Sequence, residues 1–133
     1  MIRETIDTGL PALNQPFSWA TRAGGLLFTA HGPVKMNGEI CAGDIEDQAR
    51  LTFSNLQRAV AAARAVMSDV AQVLIYMKDA SHMRAIDRVY RDFFQMPYPN
   101  RSSVVVKDFV HADMLIEIVA YVAVGSHPAF AHA

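Results

Sequence analysis

Arg101 is the side chain in this sequence best placed to do chemistry. It stands in the stretch Tyr98-Pro99-Asn100-Arg101-Ser102-Ser103-Val104-Val105-Val106, at the head of an apolar, β-branched run. Pro99 fixes the approach of the chain. Alternation then puts Arg101, Ser103 and Val105 on one strand face. A guanidinium at the mouth of apolar surface costs free energy unless an anion pairs with it. A carboxylate matches its planar fork through two parallel hydrogen bonds. That anion is either a small ligand or an Asp or Glu of the chain itself, and spacing leaves both readings open. Little else competes. The histidines form no ligand cluster with acidic residues at helical spacing, and no Ser-His-Asp order or phosphate loop is visible.

The elements that must position Arg101 follow from periodicity. Ile2 to Asp7, Phe17 to Thr21 and Leu26 to Ala30 read as strands, the last two joined by the turn Ala23-Gly24-Gly25. Ile40-Cys41 reads as a brief further strand. From Asp44, apolar residues at Ile45, Ala49, Phe53, Leu56, Val60, Ala63 and Met67 make one helical stripe. Val70 to Met77 is β-branched and apolar, hence a buried strand. Asp79 or Ser81 caps a second helix with the stripe Met83, Ile86, Tyr90, Phe93, stopped by Pro97 and Pro99. Ser102 to Val106 and Met114 to Val124 are the last strands. The order β-β-β, α, β, α, β-β predicts an α+β fold, one sheet with two helices packed on one face.

The last strand predicts how the sheet is used. Met114, Ile116, Ile118, Ala120, Val122 and Val124 make one apolar face for the helices. Leu115, Glu117, Val119, Tyr121 and Ala123 make a second, mostly apolar face, with no third layer to cover it. Another subunit is expected there, and Arg101 is expected where that face meets the neighbour.

Composition agrees. The chain has 133 residues, 52% of them hydrophobic and 19% charged, with a net charge of −1. That argues for a single folded domain over 1–133, with 124–133 as a flexible tail, and against disorder. No basic surplus supports nucleic-acid binding, and no run is long enough to span a membrane. Cys41 is the only cysteine. With no signal-like N-terminus, that makes the cytoplasm the expected compartment.

Read in order, several pieces resemble one family over about Pro16 to Ala123. They are Pro16-Phe17-Ser18, Leu27-Phe28-Thr29-Ala30, Gly38-Glu39, Gln48-Ala49-Arg50, Asn55-Leu56, Val73 to Asp79, Val89-Tyr90 with Phe93-Phe94, Pro99 to Ser103, and Ile116-Glu117-Ile118. The chain resembles the RidA/YjgF family of reactive-intermediate deaminases, also called L-PSP endoribonucleases. The resemblance implies a homotrimer with pockets between subunits. It also implies hydrolysis of imines or enamines of small 2-keto acids, releasing ammonia with no metal or organic cofactor. Arg101 would hold the substrate carboxylate, aided by a backbone N–H near Ala30 or His31. Water would be placed by a last-strand glutamate and a carbonyl near Ser103.

The departures matter as much. The last-strand glutamate of the family is Val119 here, the usual tyrosine is Phe17, the frequent cysteine is Ser103, and the frequent second-helix asparagine is Asp87. His31 falls where the family has a Ser-Gly pair. It is either the base that replaces the glutamate or a locally hydrogen-bonded, space-filling ring. Glu117 shares the Val119 face and either reaches the pocket rim or pairs with a basic residue. Three functions follow: the deaminase, a non-catalytic or specialised binder of small carboxylates, and, disfavoured by the charge, an endoribonuclease.

Overall fold

The computed structural model describes residues 2–125, so the expected tail lies outside the described residues from 126 onward. Eight main elements follow in the expected order. They are β1 (Glu4–Thr5), β2 (Ala20–Ala23), β3 (Leu26–His31), α1 (Ile45–Ala62), β4 (Val70–Met77), α2 (Met83–Phe93), β5 (Asn100–Val105) and β6 (Ile116–Ala123). They build one six-stranded sheet in the order β1-β2-β3-β6-β4-β5. All neighbours are antiparallel except β4 and β5, which α2 connects as a parallel pair. The Ile40 region contributes only an isolated bridge to Val34 rather than a strand.

Both helices cover one face, and the core lies beneath them. Ile116, Ile118, Ala120 and Val122 are fully buried there, with Leu27 from β3 and Val73 and Ile75 from β4. The expected helix-facing stripe of β6 is therefore the real one. The other sheet face carries Leu26, Phe28, Leu74, Val119 and Tyr121. Leu26 and Phe28 stay more than a third exposed in the single chain.

α1 begins where expected and ends early. The Asp44 carboxylate accepts a hydrogen bond from the Asp47 amide at 2.9 Å and caps the first turn. Arg64 adopts φ +62, and the Ala65 amide bonds back to the Val60 carbonyl at 3.1 Å. That left-handed closure stops the helix before Met67. Asp79 caps a short 3₁₀ turn at Ala80–His82 that leads into α2.

Candidate active site

The register fixes which face each candidate occupies. Thr29, Ala120, Val73 and Arg101 form one row across the sheet, and His31, Ile118, Ile75 and Ser103 form another. Both rows lie on the helix face. Ala30, Val119, Leu74 and Ser102 form a row on the open face. Arg101 therefore turns toward α2, not toward the open apolar face where it was expected. Its strand β5 is the sheet edge, so the guanidinium still reaches a pocket.

That pocket has a volume of about 230 Å³ and is lined by Asp87, Tyr90, Arg91, Tyr98, Pro99 and Arg101. Arg101 Nη1 lies 2.8 Å from Asp87 Oδ1, and the guanidinium carbon stands 4.9 Å from the centre of the Tyr90 ring. The ring gives the cation a polarisable floor. Burial pushes the Tyr90 hydroxyl up to about 12. Its oxygen is buried and has no hydrogen-bond partner among the described residues. The chain thus supplies one internal carboxylate to Arg101 through a single nitrogen. The contact also lacks the direction of a hydrogen bond, since Asp87 Oδ1 counts no donor.

Phe17, Ala30, His31 and Glu117 gather elsewhere, around a larger cavity of about 540 Å³. It is separated from Arg101 by three strand spacings, about 14 Å. Val119 lines a separate depression with Glu117, Tyr76 and Phe109. Ser103 is on the Arg101 face but outside the lining of its pocket. A single chain therefore carries two clusters: a charged one on β5 and α2, and a mixed one beside β3.

His31 is only 2% exposed and stacks on Trp19, with ring centres 5.6 Å apart and planes 6° from parallel. Its Nε2 is 2.7 Å from Thr29 Oγ1. That hydroxyl donates its one proton to the Trp19 carbonyl at 2.6 Å. Nε2 must then carry the ring proton and donate, which leaves Nδ1 with a bare, unpartnered lone pair. Desolvation lowers the imidazole to about 3. So weak an acceptor takes up little proton at neutral pH, and the geometry matches the locally hydrogen-bonded reading of this residue.

The same burial makes acid costly. The folded-state value lies below the unfolded one near 6.5, so the unfolded chain binds the extra proton between them. Stability from this residue is complete above about pH 6.5 and falls away toward pH 3. Between pH 7.5 and pH 5, wild type is expected to lose about 2 kcal/mol more than His31→Gln. Urea denaturation of both proteins at the two pH values measures the difference.

Burial raises the Glu117 carboxyl above the ordinary carboxylate range. Glu117 has no basic partner among the described residues' salt bridges and lines the rim of the larger cavity. Of its two expected roles, the rim position is the one its placement fits.

The loops that wall this cavity are tied to α1 by two buried amides. The Asn55 side chain donates to the Gly32 carbonyl at 3.2 Å and the Val34 carbonyl at 2.9 Å. Gln48 donates to the Asp113 carbonyl at 2.7 Å and accepts from the Leu115 amide at 2.8 Å. Neither role was assigned from sequence, although two polar residues one heptad apart beside a buried stripe signal inward-facing hydrogen bonds. Asn55→Ala leaves the buried Val34 carbonyl unpaired, while the Gly32 carbonyl keeps the Val34 amide at 2.8 Å, and is expected to cost about 1–3 kcal/mol. Chemical denaturation of the variant reads that cost directly.

Comparison with known proteins matches this arrangement to one group. The family model described as "Endoribonuclease L-PSP" covers residues 9–124. A 2-iminobutanoate/2-iminopropanoate deaminase of Dermatophagoides farinae is 36% identical over 96 residues, 70% of this chain and 74% of the relative. A RutC family protein of Pyrococcus horikoshii is 37% identical over 108 residues, 79% and 84% of the two chains. The crystal structure of Escherichia coli TdcF with bound serine superposes with a TM-score of 0.82 at 31% identity, covering 90% of this chain and 98% of that one. A matched model across nearly the whole chain, relatives above one-third identity and a shared fold together place this protein in the RidA/YjgF family of reactive-intermediate deaminases.

Proposed function

We propose that this protein hydrolyses the imine or enamine of a small 2-keto acid to the keto acid and ammonia, with Arg101 as the carboxylate anchor. The observation that carries the reading is the Arg101 pocket. A guanidinium sits on an aromatic floor at a sheet edge, and its one internal carboxylate leaves the bidentate fork unused. The deaminase activity named for the Dermatophagoides relative supports the reaction class.

The chemistry asks little of the protein. Water adds to the electrophilic C=N carbon, and the resulting carbinolamine expels ammonia after a proton moves from oxygen to nitrogen. Holding the substrate by its carboxylate supplies most of what is needed, because position replaces a collision. Glu117, raised by burial, is the proton-handling carboxylate this reading favours. His31 holds the Ala30–Gly32 backbone in place through Thr29 and Trp19.

The open sheet face supports the second half of the proposal, a homotrimer. Covering Leu26, Phe28 and Val104 with a neighbour removes apolar surface from water. Because β5 is the sheet edge, a neighbour that wraps around it would bring its own Phe17, Ala30, His31 and Glu117 cluster beside Arg101, and a whole site would then form only between chains. The reaction is tested by coupling the protein to an amino-acid oxidase and following ammonia. Acceleration over buffer supports it, and none overturns it. A second reading has its own observation: the row holding Val119 is entirely uncharged, with Ala30, Leu74 and Ser102. A carboxylate binder without turnover would bind keto acids by calorimetry yet release no ammonia from any imine tested.

A further inference from the structure

The charge opposite Arg101 carries information about the ligand. Asp87 projects from α2 with its carboxylate 2.8 Å from the guanidinium. Both side chains are roughly one-third exposed, at 30% and 27%, and both line the same cavity. The contact uses one guanidinium nitrogen and lacks hydrogen-bond direction. Arg101 therefore keeps donors free for a ligand carboxylate, while Asp87 stays beside it. With Arg91 on the same wall, the pocket presents two cations and one anion.

We propose that Asp87 makes this pocket selective for zwitterionic ligands, a carboxylate with a cationic nitrogen on the adjacent carbon, over anionic keto acids. The proposal rests on reading Arg101 as the carboxylate anchor. A keto acid bound at Arg101 brings its negative charge beside Asp87 and carries no cationic group of its own to face that carboxylate. An ammonium or iminium group one bond from the carboxylate carbon turns that repulsion into an attraction. The consequence for the reaction is directional. The protonated imine, R–C(=NH₂⁺)–COO⁻, is the zwitterion, and water converts it to R–CO–COO⁻ and NH₄⁺. Asp87 thus favours the charged, more electrophilic form of the substrate and disfavours the keto-acid product, which speeds release. The Tyr90 ring lies beneath the guanidinium of this pair.

L-Alanine and pyruvate share a carbon skeleton and differ in this charge, so they serve as probes. Calorimetric titration at neutral pH is run on the full-length wild type, Asp87→Asn and Arg101→Ala. Wild type is expected to bind alanine more tightly than pyruvate. Asp87→Asn, nearly isosteric and at a site about one-third exposed, is expected to shift the ratio at least tenfold toward pyruvate. Wild type that prefers pyruvate overturns the proposal without any variant, and so does a ratio unchanged in Asp87→Asn. If Arg101→Ala abolishes pyruvate binding while Asp87→Asn leaves the ratio alone, the anchor stands and only the selectivity falls. If neither ligand binds, or binding ignores Arg101→Ala, the anchor falls and the proposal with it.

Discussion

Replacing Arg101 with alanine is expected to slow ammonia release about a hundredfold, since a hydrogen-bonded charge pair of about 1.5–3 kcal/mol is lost at roughly tenfold per 1.4 kcal/mol. Arg101→Lys keeps the charge but presents a point rather than a fork, so it should recover only part of the rate. Stability separates this effect from unfolding. The pair with Asp87 is partly exposed, and such pairs contribute about 0–1 kcal/mol. The thermal midpoint should therefore move by only a few degrees. Ammonia release within threefold of wild type would remove Arg101 from the mechanism. A large drop in midpoint would instead assign it to the fold.

The second large effect lies in the core. Phe53 is fully buried on α1, and its ring meets Tyr90, Phe93 and Phe94 at centroid distances of 5.6, 5.9 and 6.1 Å. Phe53→Ala removes the surface on which the end of α2 rests and is expected to cost about 3–5 kcal/mol. Against a total stability of about 5–15 kcal/mol, that approaches the margin of folding. Phe53→Leu fills most of the space and should cost far less. The site should register the alanine change as well. Tyr90 contacts Phe53 on one side and floors Arg101 on the other, so carboxylate affinity should weaken in whatever fraction stays folded. Urea denaturation gives the first quantity, and calorimetry under folding conditions gives the second. A cost below about 1 kcal/mol would mean that α2 closes the cavity by shifting.

The periodic parts of this fold were legible in the sequence. The period-two alternation of Ile116 to Val122 named the buried face of β6, and the three-and-four spacing from Ile45 named the buried face of α1. Val70–Met77 was read with its observed bounds. Non-local facts were not legible. Periodicity shows that Arg101 and Ser103 share a face, but it does not say which face the helices cover at an edge strand. Nor does it show that β6 inserts between β3 and β4, which is decided by pairing across long loops. Asp87 was visible as a departure from the family, yet its position opposite Arg101 depends on how the α2 crossover packs on β5. The early stop of α1 rests on a left-handed Arg64, a conformation with no signal in an arginine. His31 could be read as a base or a buried ring because composition does not report solvent exposure.

The placement of Arg101 makes the anchor depend on strand register. β5 pairs in register along β4 from Asn100 to Val105. Side chains alternate along it, so a one-residue slip of β5 against β4 would turn every side chain on the strand to the opposite face. Arg101 would leave Tyr90 and Asp87 for the open face, and Asn100 or Ser102, according to the direction of the slip, would take its place beneath α2. The register of β5 is therefore a parity setting. An odd slip removes the anchor without altering a single functional residue, while an even one preserves its face.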